Sequence, residues 1–422
     1  MYNDNQKIYV RGGCRLEGEV SLDGSKNSAL SCMVAACLVE NGEVVKLQNV
    51  PDVSDVRILM EILCGLGKTV EYEENTLSLS GRITNCEVPA YLAGKLRGST
   101  YCLGLLIGTI GKAMVGLPGG DAIGERPIDI HLQGMSMLGM RYTLHEDYVE
   151  AECSGRLKGA EIYLRFPSVG ATCNLMIAAA KAEGRTIIDN AAKEPEIVDL
   201  ANLLCAIGVR VTGAGTDRVV VYGTSQVRGN IAHDIISDRI EAGVLLTSVA
   251  ITGGRLTLRN STPYHYNSLL HQLRLAGVKV DTEENTVYID GANCKDAMRV
   301  TCMPFPGIAT DMQPQFAVLC LQCEGESVIT DMVFPERFAY VKELNKMGAG
   351  IKRKGNSISV IGKSGLTGTA VTGNDIRAVT ALICAGMIAE GETVIDGMVH
   401  LNRGYHNIID KWRSLGANIE IR

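Results

Sequence analysis

Polar segments interrupt an otherwise apolar chain at a few places, and several carry residue types suited to holding anions. Gly24-Ser25-Lys26-Asn27 is a glycine turn running into an apolar helical stretch, with a lysine on the turn. Backbone N–H groups and the positive end of a helix favour an anion at such a place; a solvated turn lysine is the plainer reading. Leu117 to His131 holds three glycines and two prolines around Asp121, Arg126 and Asp129. Loops longer than an ordinary connection are usually functional in a compact fold. Thr310-Asp311-Met312-Gln313 stands where a helix is expected to start, a natural place for an N-cap aspartate. Arg337, Arg377 and Arg403 follow at separate joints. Apart, they are ordinary surface charges. Together, with Lys26 and Arg126, they would clamp the carboxylate and phosphate of one small substrate.

What must position these residues is a repeat. Six copies of a helix–strand–helix–hairpin pattern recur at roughly seventy-residue spacing. Each second helix stops on an apolar residue and a glycine: Leu66-Gly67, Leu138-Gly139, Ile207-Gly208, Ala276-Gly277, Met347-Gly348 and Leu415-Gly416. A glycine turns the chain from helix to strand without steric penalty. Alternating hairpins follow, such as Val70-Glu71-Tyr72 with Leu77-Ser78-Leu79. The first helices (Ala29 to Val39, Leu175 to Ala180, Ala378 to Ala389) are apolar nearly all round, which predicts burial on every side. Helices inside and sheets outside follow.

The chain has 422 residues, enough for two or three domains with their own cores, and six units in one line suggest two domains of three. A net charge of −6 and an aromatic content of 5% argue against nucleic acid as a partner. The longest apolar stretch, Tyr101 to Ile110, is too short to span a bilayer, and Met1 to Asn5 has no signal-peptide pattern, so no membrane partner and a cytoplasmic location are expected. Most of the 14 cysteines sit in apolar runs as small reduced hydrophobes, and Cys320-x-x-Cys323 is read as core packing, with no metal expected.

Taken in order, Gly24 to Asn27, Leu117 to His131, Lys193 to Asp199, Thr310 to Gln313, Arg337-Phe338, Asp375 to Ala378 and His400 to Tyr405 resemble the signature of the enolpyruvyl transferases. The likeness runs along essentially the whole chain. It implies an α/β fold of two inside-out barrels with three repeats each, one over residues 27–236 and the other over 1–26 with 237–422, and an active site in the cleft between them. It implies transfer of the enolpyruvyl group of phosphoenolpyruvate to a hydroxyl of UDP-N-acetylglucosamine, with phosphate released and no metal or organic cofactor. The roles it implies are catalytic for Asp121, Asp311, Lys26 and Arg403, with Asp311 as the base. Lys26, Asn27, Arg97, Arg126, Arg337, Arg377 and Arg403 would bind phosphoenolpyruvate. Asn27, Arg97, Arg126, Pro127, Ile128, Asp129, Ile130, Ser168, Val169, Asp311 and Val333 would bind the nucleotide sugar.

Three positions depart from the family pattern. Asp121 stands where a loop cysteine is usual, Phe166 where a lysine is expected, and Pro335-Glu336 replaces the usual pair before the arginine. The family's epoxide inhibitor fosfomycin alkylates that cysteine, so the resemblance implies insensitivity here. An enolpyruvyl transferase for another nucleotide or a phosphorylated acceptor such as shikimate 3-phosphate remains a competing reading. So does a catalytically silent paralogue that binds UDP-sugar, although the intact basic set speaks against it.

Overall fold

The computed structural model describes every residue except Met1, Asn41, Asp121, Ala122, Ile123, Glu125 and Arg126. All six helix stops end on glycines in the left-handed region, with φ of 104° at Gly67, 102° at Gly139, 100° at Gly208, 92° at Gly277, 96° at Gly348 and 100° at Gly416. The helices they close are Ser54–Gly65, Asp129–Met137, Pro195–Ala206, Asn267–Leu275, Tyr340–Lys346 and Ile408–Ser414. At Gly277 a Cβ would lie 2.4 Å from the backbone oxygen of Asn293. Gly277→Ala is therefore expected to cost about 1–3 kcal/mol, read as a lower urea midpoint at unchanged slope. A variant as stable as the parent would show that the stop does not need glycine.

Two compact units result, with main parts at residues 2–23 and 237–422, and at residues 24–120 and 127–236. The first division falls just before Gly24 rather than after Lys26. The Ser25 N–H donates to the Ile236 carbonyl at 2.7 Å, and the Ser25 hydroxyl caps the Lys26–Ala36 helix by accepting from Ser28 N at 3.4 Å. Those bonds tie the lysine turn to the second unit.

Each unit buries three helices. They are Lys26–Ala36, Tyr101–Ile110 and Val169–Ala180 in one, and Arg239–Ile251, Gln313–Cys320 and Ile376–Ile388 in the other. Each unit holds three of the six four-stranded sheets among the described residues, many of whose strands alternate buried and exposed residues, as in Val45–Gln48. Gly104 lets two buried helices meet: a Cβ there would lie 2.5 Å from the Asn174 oxygen atoms. The first helix ends at Ala36, short of the expected Val39. The buried Lys68 ammonium gathers the carbonyls of Cys37 at 3.4 Å, Val39 at 2.7 Å and Gly81 at 2.7 Å, which supplies the donors that the helix end lacks. The third helix similarly gives way to extended backbone at Ala389.

One strand order recurs in every sheet. A short edge strand runs parallel to a second strand, and an antiparallel pair completes the sheet, a hairpin except where Ile8–Arg11 pairs with Asn418–Ile421. Glu161–Tyr163 pairs in this way with Arg185–Asp189, followed by Arg218–Tyr222 and Arg210–Thr212. Three sheets draw on distant chain. Ile231–Asp234 lies along Val45–Gln48, and Glu17–Ser21 along Arg255–Arg259. Ile8–Arg11 sits between Glu392–Asp396 and Asn418–Ile421, with Lys7 and Arg422 exchanging backbone hydrogen bonds of 2.8 and 3.1 Å. Among the described residues no helix is long and apolar enough to cross a membrane.

Candidate active site

Asp311 is not an N-cap. It lies in the single turn Thr310–Met312 ahead of the Gln313–Cys320 helix, whose cap position is Met312, without a side-chain cap bond. Its Oδ1 instead accepts from Arg377 Nε at 2.8 Å and from Arg337 Nη2 at 3.3 Å. Arg377 is held at the start of the Ile376–Ile388 helix, where Asp375 caps the backbone N–H groups of Arg377 at 2.8 Å and Ala378 at 3.1 Å. The Tyr405 hydroxyl accepts from Arg377 Nη1, and its ring lies 5.1 Å from the guanidinium carbon. Arg337 is 4% exposed. Its Nη1 donates to the Thr310 hydroxyl at 3.4 Å, and among the described residues its buried Nε has no hydrogen-bond partner.

The electrostatics of Asp311 follow from that geometry. Burial is the largest single effect and opposes ionisation, while the charges of Arg377 and Arg337 favour it. With the Arg377 hydrogen bond and the Arg239 charge added, the carboxyl is held well below the usual carboxylate range. Asp311 is therefore an anion that already occupies an arginine clamp. Burial pushes the Tyr405 hydroxyl up against the opposing Arg377 charge, so it stays protonated.

In the other unit Lys26 is the first residue of its helix, and its ammonium meets Asp55 Oδ2 at 3.1 Å, both side chains buried. Asn27 follows, half-buried. Arg97 Nη2 donates to the Pro127 carbonyl at 3.4 Å, joining two of the expected positions. Ile128, Asp129 and Ile130 lead into the Asp129–Met137 helix, and Asp129 pairs with Arg165. Ser168 caps the Val169–Ala180 helix, its hydroxyl accepting from Ala171 N at 3.2 Å.

His131 joins these two helices and escaped the sequence reading as a residue in its own right. Asn174 Nδ2 donates to the Thr100 carbonyl at 2.8 Å and to His131 Nδ1 at 3.0 Å, while its Oδ1 accepts from Gly104 N at 3.0 Å. Because the amide can only donate to Nδ1, the ring proton sits on Nε2. Burial first, and then the Arg97 charge, lower the His131 pKa to about 3 against the pull of Asp129, so the ring is neutral. A Cβ on Gly170 would come within 3.2 Å of that ring, so the histidine packs directly on the helix start at Val169.

Asp121 and Arg126 lie outside the described residues. Arg403 is half-buried on the Met398–Gly404 helix, and the Val333 N–H donates to Asp331 Oδ1 at 2.8 Å. Among the described residues one group offers metal-ligand spacing: Cys32, Asp199 and His233 place ligand atoms within 4.8 Å of one another. Asp199 already accepts from Ser28 Oγ at 2.5 Å and Ile236 N at 3.3 Å and meets His233 Nε2 at 2.9 Å. Burial, followed by the Asp199 charge, pushes the Cys32 thiol well up. The cluster is a satisfied hydrogen-bond hub.

Comparison with known proteins agrees along the full chain. The profile of EPSP synthase (3-phosphoshikimate 1-carboxyvinyltransferase) matches residues 10–412. UDP-N-acetylglucosamine 1-carboxyvinyltransferase of Enterobacter cloacae subsp. cloacae is 44% identical over 416 residues, covering 98% of both chains. The protein of that name from Klebsiella pneumoniae subsp. pneumoniae is 43% identical over 415 residues, again 98% of each. Among solved structures, the enolpyruvyl transferase NikO from Streptomyces tendae superposes with a TM-score of 0.89 at 24% identity, covering 99% of this chain and 98% of that one. EPSP synthase from Acinetobacter baumannii gives 0.77 at 18% identity over 99% of this chain and 100% of its own. With the fold, the ordered motifs and full-length relatives in agreement, the chain belongs to the EPSP synthase family of enolpyruvyl transferases.

Proposed function

We propose that this chain transfers the enolpyruvyl group of phosphoenolpyruvate to the 3′-hydroxyl of UDP-N-acetylglucosamine and releases phosphate, the opening step of peptidoglycan synthesis. The observation that carries the chemistry is Asp311 held by Arg337 and Arg377. The acceptor is supported by the relatives at 43–44% identity. In the addition step C3 of the enolpyruvyl group takes a proton while the sugar oxygen bonds to C2. In the elimination step C3 loses a proton and the C2–O bond to phosphate breaks. Asp311 accepts the hydroxyl proton, and Asp121 supplies the acid for C3. Lys26, Arg126 and Arg403 hold phosphoenolpyruvate, with Arg97, Arg337 and Arg377 assisting. Asn27, Pro127 to Ile130, Ser168, Val169 and Val333 meet the nucleotide sugar.

A carboxylate as acidic as Asp311 is a poor base. Phosphoenolpyruvate brings its own anions, and once these engage Arg337 and Arg377 the carboxylate is released from the field that holds its pKa down. Substrate binding thereby prepares the base. The work belongs in the cytoplasm of a dividing cell that builds a wall.

Phosphate release with phosphoenolpyruvate and each candidate acceptor tests the reading. Release with UDP-N-acetylglucosamine and none with shikimate 3-phosphate is expected. Phe166, exposed just before Ser168 where a lysine is expected, favours including nucleotides without the amino sugar; turnover with those alone would change the acceptor. Lys26→Ala and Arg403→Ala should each remove about 3 kcal/mol or more of transition-state stabilisation. The loss should fall on phosphoenolpyruvate kinetics, and a rise confined to the UDP-sugar KM would refute the assignment.

A further inference from the structure

Asp331 is completely buried at the end of the Glu326–Asp331 strand, and no motif singles it out. Its backbone is fixed: its N–H donates to the Asn356 carbonyl at 2.9 Å, and its Cα is in register with Cys302 of the parallel strand. The side chain then ties two turns together. Oδ1 accepts from the N–H groups of Val333 and Phe334, both at 2.8 Å. Oδ2 accepts from the Thr310 hydroxyl at 2.5 Å, the same hydroxyl that Arg337 Nη1 approaches at 3.4 Å. One carboxylate thus anchors the turn that carries Asp311, the turn that carries Val333, and through Thr310 the arginine that holds Asp311.

A buried carboxylate is tolerated only when its lone pairs are used. Here three donors use them, and each comes from a segment next to the candidate chemistry rather than from the general core. We infer that Asp331 is a positioning residue, which acts through Thr310 on the placement of Asp311 and through the Val333 N–H on the nucleotide-sugar turn. The inference rests on the reading that Asp311 takes the acceptor proton and Val333 meets the nucleotide sugar. It makes the two turns parts of one rigid device, so base and acceptor site cannot drift apart independently.

The two arms can be separated. Thr310→Val deletes the bridge to the Asp311 turn, together with the acceptor of Arg337 Nη1, and leaves the Val333 arm in place. It should lower kcat at least about tenfold while leaving the KM for UDP-N-acetylglucosamine within about twofold. Thr310→Ser, which keeps the hydroxyl, should recover most of that loss. Asp331→Asn weakens both arms and should lower kcat and raise the UDP-sugar KM together. Thermal midpoints measured alongside distinguish positioning from loss of folded protein. Parent-like kcat in Thr310→Val overturns the inference, as does a serine variant no better than the valine, or turnover that falls only with the folded fraction. Asp311→Asn is run as the control. If it keeps parent turnover, the reading of Asp311 as base fails, and this inference falls with it. If Asp311→Asn is inactive and Thr310→Val is not, this inference alone fails.

Discussion

Asp311→Asn is expected to lower kcat by about 10²–10⁴ and to leave UDP-N-acetylglucosamine binding within about tenfold. The amide keeps the size of the side chain but cannot accept the hydroxyl proton. It also leaves Arg337 and Arg377 without the anion that they now share, so the resting clamp should bind phosphoenolpyruvate no more weakly, and even more tightly, while turnover collapses. Calorimetry beside phosphate release separates the two effects. Near-parent turnover would remove Asp311 from the mechanism. The pH dependence has a definite sign. Because its folded pKa is depressed, the Asp311 carboxylate contributes stability above its unfolded value and loses it only as pH falls into strong acid. The acidic limb of kcat/KM near neutrality is therefore expected from another group, and it should persist in any Asp311 variant with measurable activity.

Fosfomycin should leave this protein unmodified. Epoxide opening needs a strong nucleophile, and a thiolate meets that need far better than a carboxylate. The family resemblance places Asp121 where a loop cysteine is usual, and the prediction rests on that reading. The cysteines that flank it in sequence do not substitute: Cys102 is buried, with its thiol pushed up by burial, and the Cys153 thiol is also raised by burial. Asp121→Cys should restore a covalent adduct, provided the clamp positions the drug as it would phosphoenolpyruvate. It should also move the pH optimum of turnover upward, because a thiol remains a proton donor to about pH 8.5 whereas a carboxyl does not. Mass spectrometry of drug-treated parent protein is decisive. An adduct at Asp121 or on any clamp residue would overturn this account of the loop.

The repeat was legible because its signal is local. A glycine that must adopt positive φ can be read from its own position, and all six stops do so. The burial of the first helices was legible for the same reason, since an all-apolar surface has no face to show to water. The pairings between distant strands were not. Nothing in Ile231–Asp234 announces Val45–Gln48 as its neighbour. The Asp311 clamp spans 26 residues to Arg337 and 66 to Arg377, so the sequence supplied the residue types while only folding supplies their contact. Asp331 was missed because an aspartate at a strand end resembles any turn-forming aspartate. The available signal was two N–H groups following it with no proline in the way. His131 was hidden in the same manner, being one polar residue in a polar-looking loop until Asn174 is seen against it.

Ile8–Arg11 carries a consequence for how this protein comes into being. The strand is made long before both its neighbours, Glu392–Asp396 and Asn418–Ile421, and Arg11 finds Glu392 381 residues further along. It must wait unpaired while the intervening residues emerge, with the entropy of closing that span still to be met. Contacts of such long range slow folding, and a waiting strand with bare edges invites the wrong partner. Slow maturation of this sheet, and a need for protection of its waiting strand, follow from a pairing that looks unexceptional once formed.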